Sequence, residues 1–139
     1  NYFNDLSKVE IPFTHFDERT VPKEHLDAAR TLVTKDYFNC FSCHQQGEKK
    51  PEGPQEGWAP DLNLAYRRLN PNWLIKWLQD PQKVQPGTKM PSFFPGGPDN
   101  ILGGKDDRQI EALRDYIMSL GASNGANTTQ AAPRRSRIR

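Results

Sequence analysis

Cys40, Cys43 and His44 stand at positions i, i+3 and i+4 of the run Cys40-Phe41-Ser42-Cys43-His44. In a helical turn those positions share one face, so two thiols and an imidazole point the same way. The spacing C-x-x-C-H is the attachment signature of c-type haem. Two thiols so placed can add to the two haem vinyl groups as thioethers, and His44 then sits beneath the iron as an axial ligand. Other chemistries compete for the same residues. A thioredoxin-like Cys-x-x-Cys needs a βαβ setting, whereas this chain reads as helices and loops. A zinc site needs four ligands, and the remaining histidines, His15 and His25, have no metal-like spacing with each other. A pentapeptide can also match by chance.

A haem iron in an electron-transfer protein takes a sixth ligand from the protein, commonly Met. The chain has two methionines. Met118 falls between Asp115 and Ser119, off the apolar face of a helix, and reads as a helix-flank residue. Met90 lies in the loop Pro86-Gly87-Thr88-Lys89-Met90-Pro91. Such a loop can bring a thioether onto a flat macrocycle, and Pro91 restricts Met90 to an extended backbone. The competing reading of Met90 is a core gap-filler.

Three helices must position these groups. Leu26, Ala29, Leu32 and Val33 fall on one face of a helix over about 23–35, with Pro22 suited to its first turn. Asn70 as N-cap, Pro71 at the first position and Asp80-Pro81 as terminator bound a second helix over 71–79. Leu74, Trp77 and Leu78 make its buried stripe, with Trp73 beside it. A third helix over about 107–120 shows Ile110, Leu113, Tyr116, Ile117 and Leu120 on one face. Asp106 with Gln109 approximates its capping box, and Gly121 is placed to end it. Residues 45–64 and 81–105, rich in Pro and Gly, read as loops. Before the first helix, Val9, Ile11 and Phe13 alternate as an extended segment, which Pro12 would demote to an edge strand.

The chain of 139 residues and 15.9 kDa has the size of one domain with tails. Hydrophobic residues make up 35% and mean hydropathy is −0.86, with no apolar run near the roughly 20 residues that span a bilayer. The first residue is Asn1, so we expect that something upstream, such as a secretory signal, has been removed. The net charge of +2 is too small to suggest nucleic acid. It averages three unlike regions: −2 over 1–21, zero over 22–121 and +4 over 122–139. A polar chain with 12 Pro and 10 Gly is short of core, and a large apolar disc would supply it as a staple. Leu32, Leu62, Leu74, Trp77, Phe93, Leu113 and Ile117 are candidates to pack around it. Trp58 and Trp73 suit either a haem neighbour or ordinary core.

These features resemble the class I c-type cytochromes over about residues 22–121. Ala59-Pro60-Asp61-Leu62 is similar to the family's Gly-Pro-x-Leu, in which the proline carbonyl accepts a hydrogen bond from the axial histidine. The resemblance implies that Pro60 orients His44 and raises its basicity. Gly87-Thr88-Lys89-Met90 is similar to the family's Met-ligand loop, and Tyr116 to the aromatic that packs across the N-terminal helix. The family's glycine at that helix crossing falls here at Ala28 or Ala29. The zone 1–21 and the long loop 45–58 have no counterpart in the basic pattern.

The resemblance implies an all-α cytochrome c fold of three main helices and long Pro/Gly-rich loops around one covalent haem c. The expected organisation is an aromatic N-terminal extension over 1–21, which docks on a partner or folds back, a haem domain over 22–121, and a disordered basic tail over 122–139. Cofactor contacts are expected from Cys40, Cys43, His44, Met90, Pro60, Leu62, Trp77 and Phe93, with His44 and Met90 on the iron. The implied function is outer-sphere electron transfer through the haem edge, by a carrier or by a subunit of a larger redox complex, and not catalysis on a small-molecule substrate. Expected partners are redox proteins or fellow subunits, with no nucleic acid. The expected location is periplasmic or otherwise extracytoplasmic, free or associated with a membrane complex. The alternatives are a haem enzyme or sensor with a labile Met, acting on peroxide or a gas, and a haem-free zinc or structural module.

Overall fold

Pro22 sits just before the first helix rather than in its first turn. Its extended backbone (φ −62°, ψ 138°) makes it the N-cap of α1 (Lys23–Leu32). The computed structural model describes residues 11–138, and side chains over 11–122. Val9 and the aromatic Tyr2 and Phe3 therefore lie outside the described residues. Four helices follow α1: α2 (Ala65–Arg68), α3 (Pro71–Gln79), α4 (Pro81–Val84) and α5 (Asp106–Ile138). Short 3-10 turns join them. Among the described residues there is no strand, only isolated bridges at His44–Ala59 and Gln46–Lys49, so the all-α class holds.

The core forms where α1 crosses α5, with α2, α3 and the turn Leu62–Leu64 packed on other sides of α5. Ala29 and Leu32 on α1 are 0% exposed. Across from them on α5, Ile110, Ala112, Leu113 and Ile117 are buried. Ala29, one of the two positions at which the resemblance puts the family's glycine, is fully enclosed at this crossing. Polar contacts pin the same crossing. His25 Nδ1 lies 2.8 Å from Asp115 Oδ2, and Arg108 reaches Glu24 at 3.0 Å; within α5, Arg114 Nε donates to Asp115 Oδ1 at 2.6 Å and steadies that carboxylate.

Asn70 caps α3 as its residue type dictates, its side chain accepting from the Asn72 N–H at 2.9 Å. The same two asparagines grip the segment before α1. Asn70 Nδ2 donates to the Ile11 and Pro12 carbonyls at 3.2 and 3.3 Å, and Asn72 Nδ2 to the Pro12 carbonyl at 2.6 Å. Phe16 is buried edge-on to Tyr66, with ring centroids 6.3 Å apart. Residues 11–21 are thus a strap folded back on the domain, not an edge strand, while Phe13 stays 67% exposed.

Three expectations for α5 are corrected. The helix does not stop at Gly121 but runs to Ile138, so the stretch expected to be a disordered tail has helical backbone over 122–138. Ala122, Ala126, Ala131 and Ala132 are strong helix formers there; the side chains beyond Ala122 lie outside the described residues. Gly121 serves close approach instead of termination. A Cβ on it would strike the Asn63 carbonyl oxygen and come within 2.7 Å of the Tyr66 Cβ. The capping box is absent too. Asp106 is the first helical residue, and Gln109, fully buried, donates Nε2 to the Pro98 and Ile101 carbonyls at 2.8 and 2.9 Å. Those loop carbonyls are removed from water and need a donor more than the helix end does. Met118, finally, is 1% exposed and belongs to the core. One apolar stripe does not describe α5, because neighbours cover it on several sides.

Candidate haem site

The turn Cys40–Ser42 begins after Asn39, whose left-handed backbone (φ 52°, ψ 46°) turns the chain sharply out of the preceding loop. The turn is 3-10, yet the His44 N–H also reaches the Cys40 carbonyl at 2.9 Å, an i to i+4 closure that sets His44 over Cys40. Cys40 is half-buried, Cys43 is exposed, and both thiols are free. Burial in apolar surroundings pushes the Cys40 thiol up to about 12.

The long loop 45–60 folds over this turn and satisfies its carbonyls. Glu52, Gly53 and Ala59 donate their N–H groups to Phe41, Ser42 and Cys43 at 2.9, 2.8 and 2.8 Å. Gly53 has no room for a side chain, since a Cβ would lie 2.6 Å from the Ser42 carbonyl oxygen. The Asp61 carboxylate takes the N–H groups of Gly47 and Asn63 at 2.8 and 2.9 Å. These bonds station the Pro60 carbonyl 2.8 Å from His44 Nδ1. A carbonyl can only accept, so Nδ1 carries the proton and Nε2 keeps its lone pair for a metal. Burial lowers the His44 pKa, opposed by the Pro60 hydrogen bond; the neutral, ligating form is the favoured one.

The loop carrying Met90 is held from two directions. Gln82 Nε2 donates to the Thr88 and Met90 carbonyls at 2.6 and 3.0 Å. Lys89 Nζ donates to the Glu56 carbonyl at 3.0 Å, which ties the Met90 loop to the loop that braces His44. The Trp77 indole N–H points at the Met90 sulfur, 3.0 Å away.

Leu62, Trp77, Met90 and Phe93 pack on the core yet remain half-buried. Trp77 stacks on Trp73 with centroids 5.4 Å apart, and Phe93 on Phe38 at 4.5 Å. Leu32, Leu74, Leu113 and Ile117 are instead closed off by protein alone. Trp58 is neither core nor wall. It stands 38% exposed, its indole N–H braced on the Gly53 carbonyl at 3.0 Å. Sequence reasoning missed the supports: Gln82, Lys89 and the partly buried Phe38 and Phe41. The aromatic run Tyr37-Phe38 with Phe41 was a usable signal for the rings. Nothing marked Gln82, which looks like any exposed helix residue.

The residues fit a haem. An imidazole with its second nitrogen anchored, a positioned thioether, two free thiols on one turn and half-buried flat rings are the donors and walls that an iron macrocycle needs. Among the described residues no three His, Cys, Asp or Glu side chains gather to hold a bare metal ion.

The chain is similar to known proteins over this region. The profile of the family Cytochrome c matches residues 26–121. A cytochrome c oxidase subunit 2 from Bacillus sp. (strain PS3) is 29% identical over 130 residues, covering 76% of this chain and 34% of that protein. The fructose dehydrogenase cytochrome subunit of Gluconobacter japonicus is 35% identical over 85 residues, covering 58% of this chain and 16% of that protein. This chain therefore spans about a third of the first relative's length and about a sixth of the second's. Both helix crossing and Cys-x-x-Cys-His turn fall inside the matched region, and the chain belongs to the cytochrome c family.

Proposed function

We propose that this domain carries one haem c, bound by thioethers from Cys40 and Cys43 and ligated by His44 and Met90, and that it passes electrons within a larger redox assembly. The observation that carries the reading is the 2.8 Å contact between His44 Nδ1 and the Pro60 carbonyl. It leaves one nitrogen free to ligate and fixes the ring. When bound, the haem supplies a one-electron Fe(III)/Fe(II) couple, whose potential a Met ligand raises.

The residues do the rest. The Cys40–Ser42 turn fixes the macrocycle against the chain. Pro60 keeps His44 oriented and basic. Gln82 and Lys89 restrain the Met90 loop, which would hold the thioether in place as a ligand and keep small molecules from the metal. That restraint supports a carrier over a peroxidase or gas sensor. Leu62, Trp77 and Phe93 wall out water. Cys43 is exposed, so a haem held there would be reachable from the surface, and a protein partner would dock on that side. Both relatives are named as subunits of redox enzymes, which supports a fellow subunit as that partner. No helix among the described residues is long and apolar enough to cross a membrane. Covalent attachment in the family supports an extracytoplasmic location.

A pyridine haemochrome assay after acid-acetone extraction tests the attachment. Haem should stay with the protein, and freely extracted haem rejects the proposal. The oxidised protein should show the far-red iron–sulfur charge-transfer band and lose it in Met90→Ala. A wild type without the band, and a variant with an unchanged spectrum, reject Met90 as ligand.

A further inference from the structure

Charge is spread unevenly along α5. The helix opens on Asp106 and Asp107 and carries both signs as far as Asp115. After Asp115 the sequence holds no acidic residue, and its only charged ones are Arg134, Arg135, Arg137 and Arg139. The domain over 22–121 sums to zero. The net positive charge of the chain is therefore concentrated in one short run.

The stretch that carries this run is of a different kind. Residues 122–132 have helical backbone. They are Ala, Ser, Asn, Gly, Thr and Gln, with no charge and no apolar residue larger than Ala. A helix without an apolar stripe has nothing to bury against its own domain and suits a spacer through solvent. At ~1.5 Å per residue it spans about 17 Å. That is about twice the distance of ~8 Å over which physiological salt screens a charge. The basic run thus stands clear of the acidic groups of the domain.

The composition of the run says what it fits. Four arginines within 134–139 meet the density of ~4–8 cations by which polybasic segments bind anionic lipid. No aromatic residue follows Tyr116, and the run has one large apolar residue, Ile138. It offers no ring to anchor in a pocket, where protein interfaces concentrate their affinity. A lipid surface asks for charge and reach, and for no fixed orientation to the domain.

We propose that the basic run 133–139, carried on the last turns of α5, holds this domain to a bilayer surface rich in anionic lipid. The contact is with headgroups and is peripheral. It needs no haem, so it stands or falls apart from the haem reading.

The test is co-sedimentation of the full holoprotein with vesicles of phosphatidylcholine, with and without a third of phosphatidylglycerol. Protein should pellet with the anionic vesicles alone, and high salt should release it. Each Arg→Gln exchange should weaken the binding by about fivefold, the equivalent of about 1 kcal/mol, and Arg134→Gln with Arg135→Gln by about 25-fold. Arg→Lys at the same positions keeps the charge and should keep the binding. Equal binding to both vesicles overturns the proposal, as does anionic-vesicle binding that the Gln variants leave unchanged. Retention on immobilised polyglutamate without vesicle binding also overturns it and assigns the run to an acidic protein. Loss of binding in the Lys variants overturns it too, because it would show a fitted guanidinium site.

Discussion

The two halves of this molecule bury apolar surface in different ways. At the crossing of α1 and α5, protein closes on protein: Ala29, Leu32 and Ala112 are 0% exposed and Met118 is 1%. Burying one such Leu contributes about 1.5–3 kcal/mol, and the packing is finished. In the loop half, Leu62, Trp77, Met90 and Phe93 stay half-buried although they touch the core. Apart from Trp77 on α3, these residues lie on backbone held largely by single hydrogen bonds between loops and short turns. The difference teaches that one half is complete as polypeptide, while the other leaves flat rings half-open on the side where the proposed haem would lie. A composition short of apolar residues is then no sign of a weak fold, because only half of the domain must build its own core.

The largest break in that contrast should come from replacing both Cys40 and Cys43 by Ala. Haem should become extractable and the near-ultraviolet signal of Trp73 and Trp77 should collapse, while far-ultraviolet helicity falls less. Equal loss of both signals would show that the halves are not separable. On the helical side, Met118→Ala should cost about 2–5 kcal/mol by denaturant unfolding, as buried Met truncations do, with the haem spectrum unmoved. Gly121→Ala should cost about 1–3 kcal/mol through overpacking against Asn63 and Tyr66, although Ala is the better helix former by about 1 kcal/mol. A stabilised variant would mean the crossing can open.

A smaller effect sharpens the loop half. Trp77→Phe keeps a ring and removes the N–H aimed at Met90, an interaction on the scale of about 0.5–1.5 kcal/mol. With a haem bound, the sulfur would then be a better donor to iron, so the reduction potential should fall. The smallest effect lies on the strap. Arg19 bonds Asp17 and holds its carboxyl at about 2, below the usual 3.8. A depressed folded value stabilises above the unfolded one and is lost as pH falls through the folded one. The difference in urea midpoint between wild type and Arg19→Ala should therefore be present at pH 5 and close between about pH 4 and pH 2. Solvent screening keeps it small.

Local chemistry was legible in the sequence, and tertiary burial was not. The ends of α3 follow from Asn70, Pro71 and Asp80-Pro81, each acting on its own backbone. The Cys40–His44 run is legible because its geometry is contained in five consecutive residues. The contact of His44 with Pro60 is visible only through family resemblance, since nothing in a proline at 60 announces where its carbonyl points. Met118, Gln109 and Phe16 escaped for one reason. Their burial depends on which elements pack beside them, and periodicity along one helix does not show the neighbours. Gly121 illustrates the same limit. A glycine near a helix end reads equally as a terminator or as a crossing point, and only Asn63 and Tyr66, far away in sequence, decide.

The His44 ring is held by a main-chain oxygen, and every amino acid has one. Substitution at Pro60 can change the ring there without deleting the acceptor, so the contact is sheltered from point mutation. Sensitivity passes to the residues that station it: Asp61, whose carboxylate gathers the Gly47 and Asn63 N–H groups, and Gly53, which cannot gain a side chain. A mutational scan of this loop should therefore show a ring of intolerant positions around a permissive centre. Only exchanging the peptide bond between Pro60 and Asp61 for an ester, which weakens that carbonyl as an acceptor, would reach the contact directly.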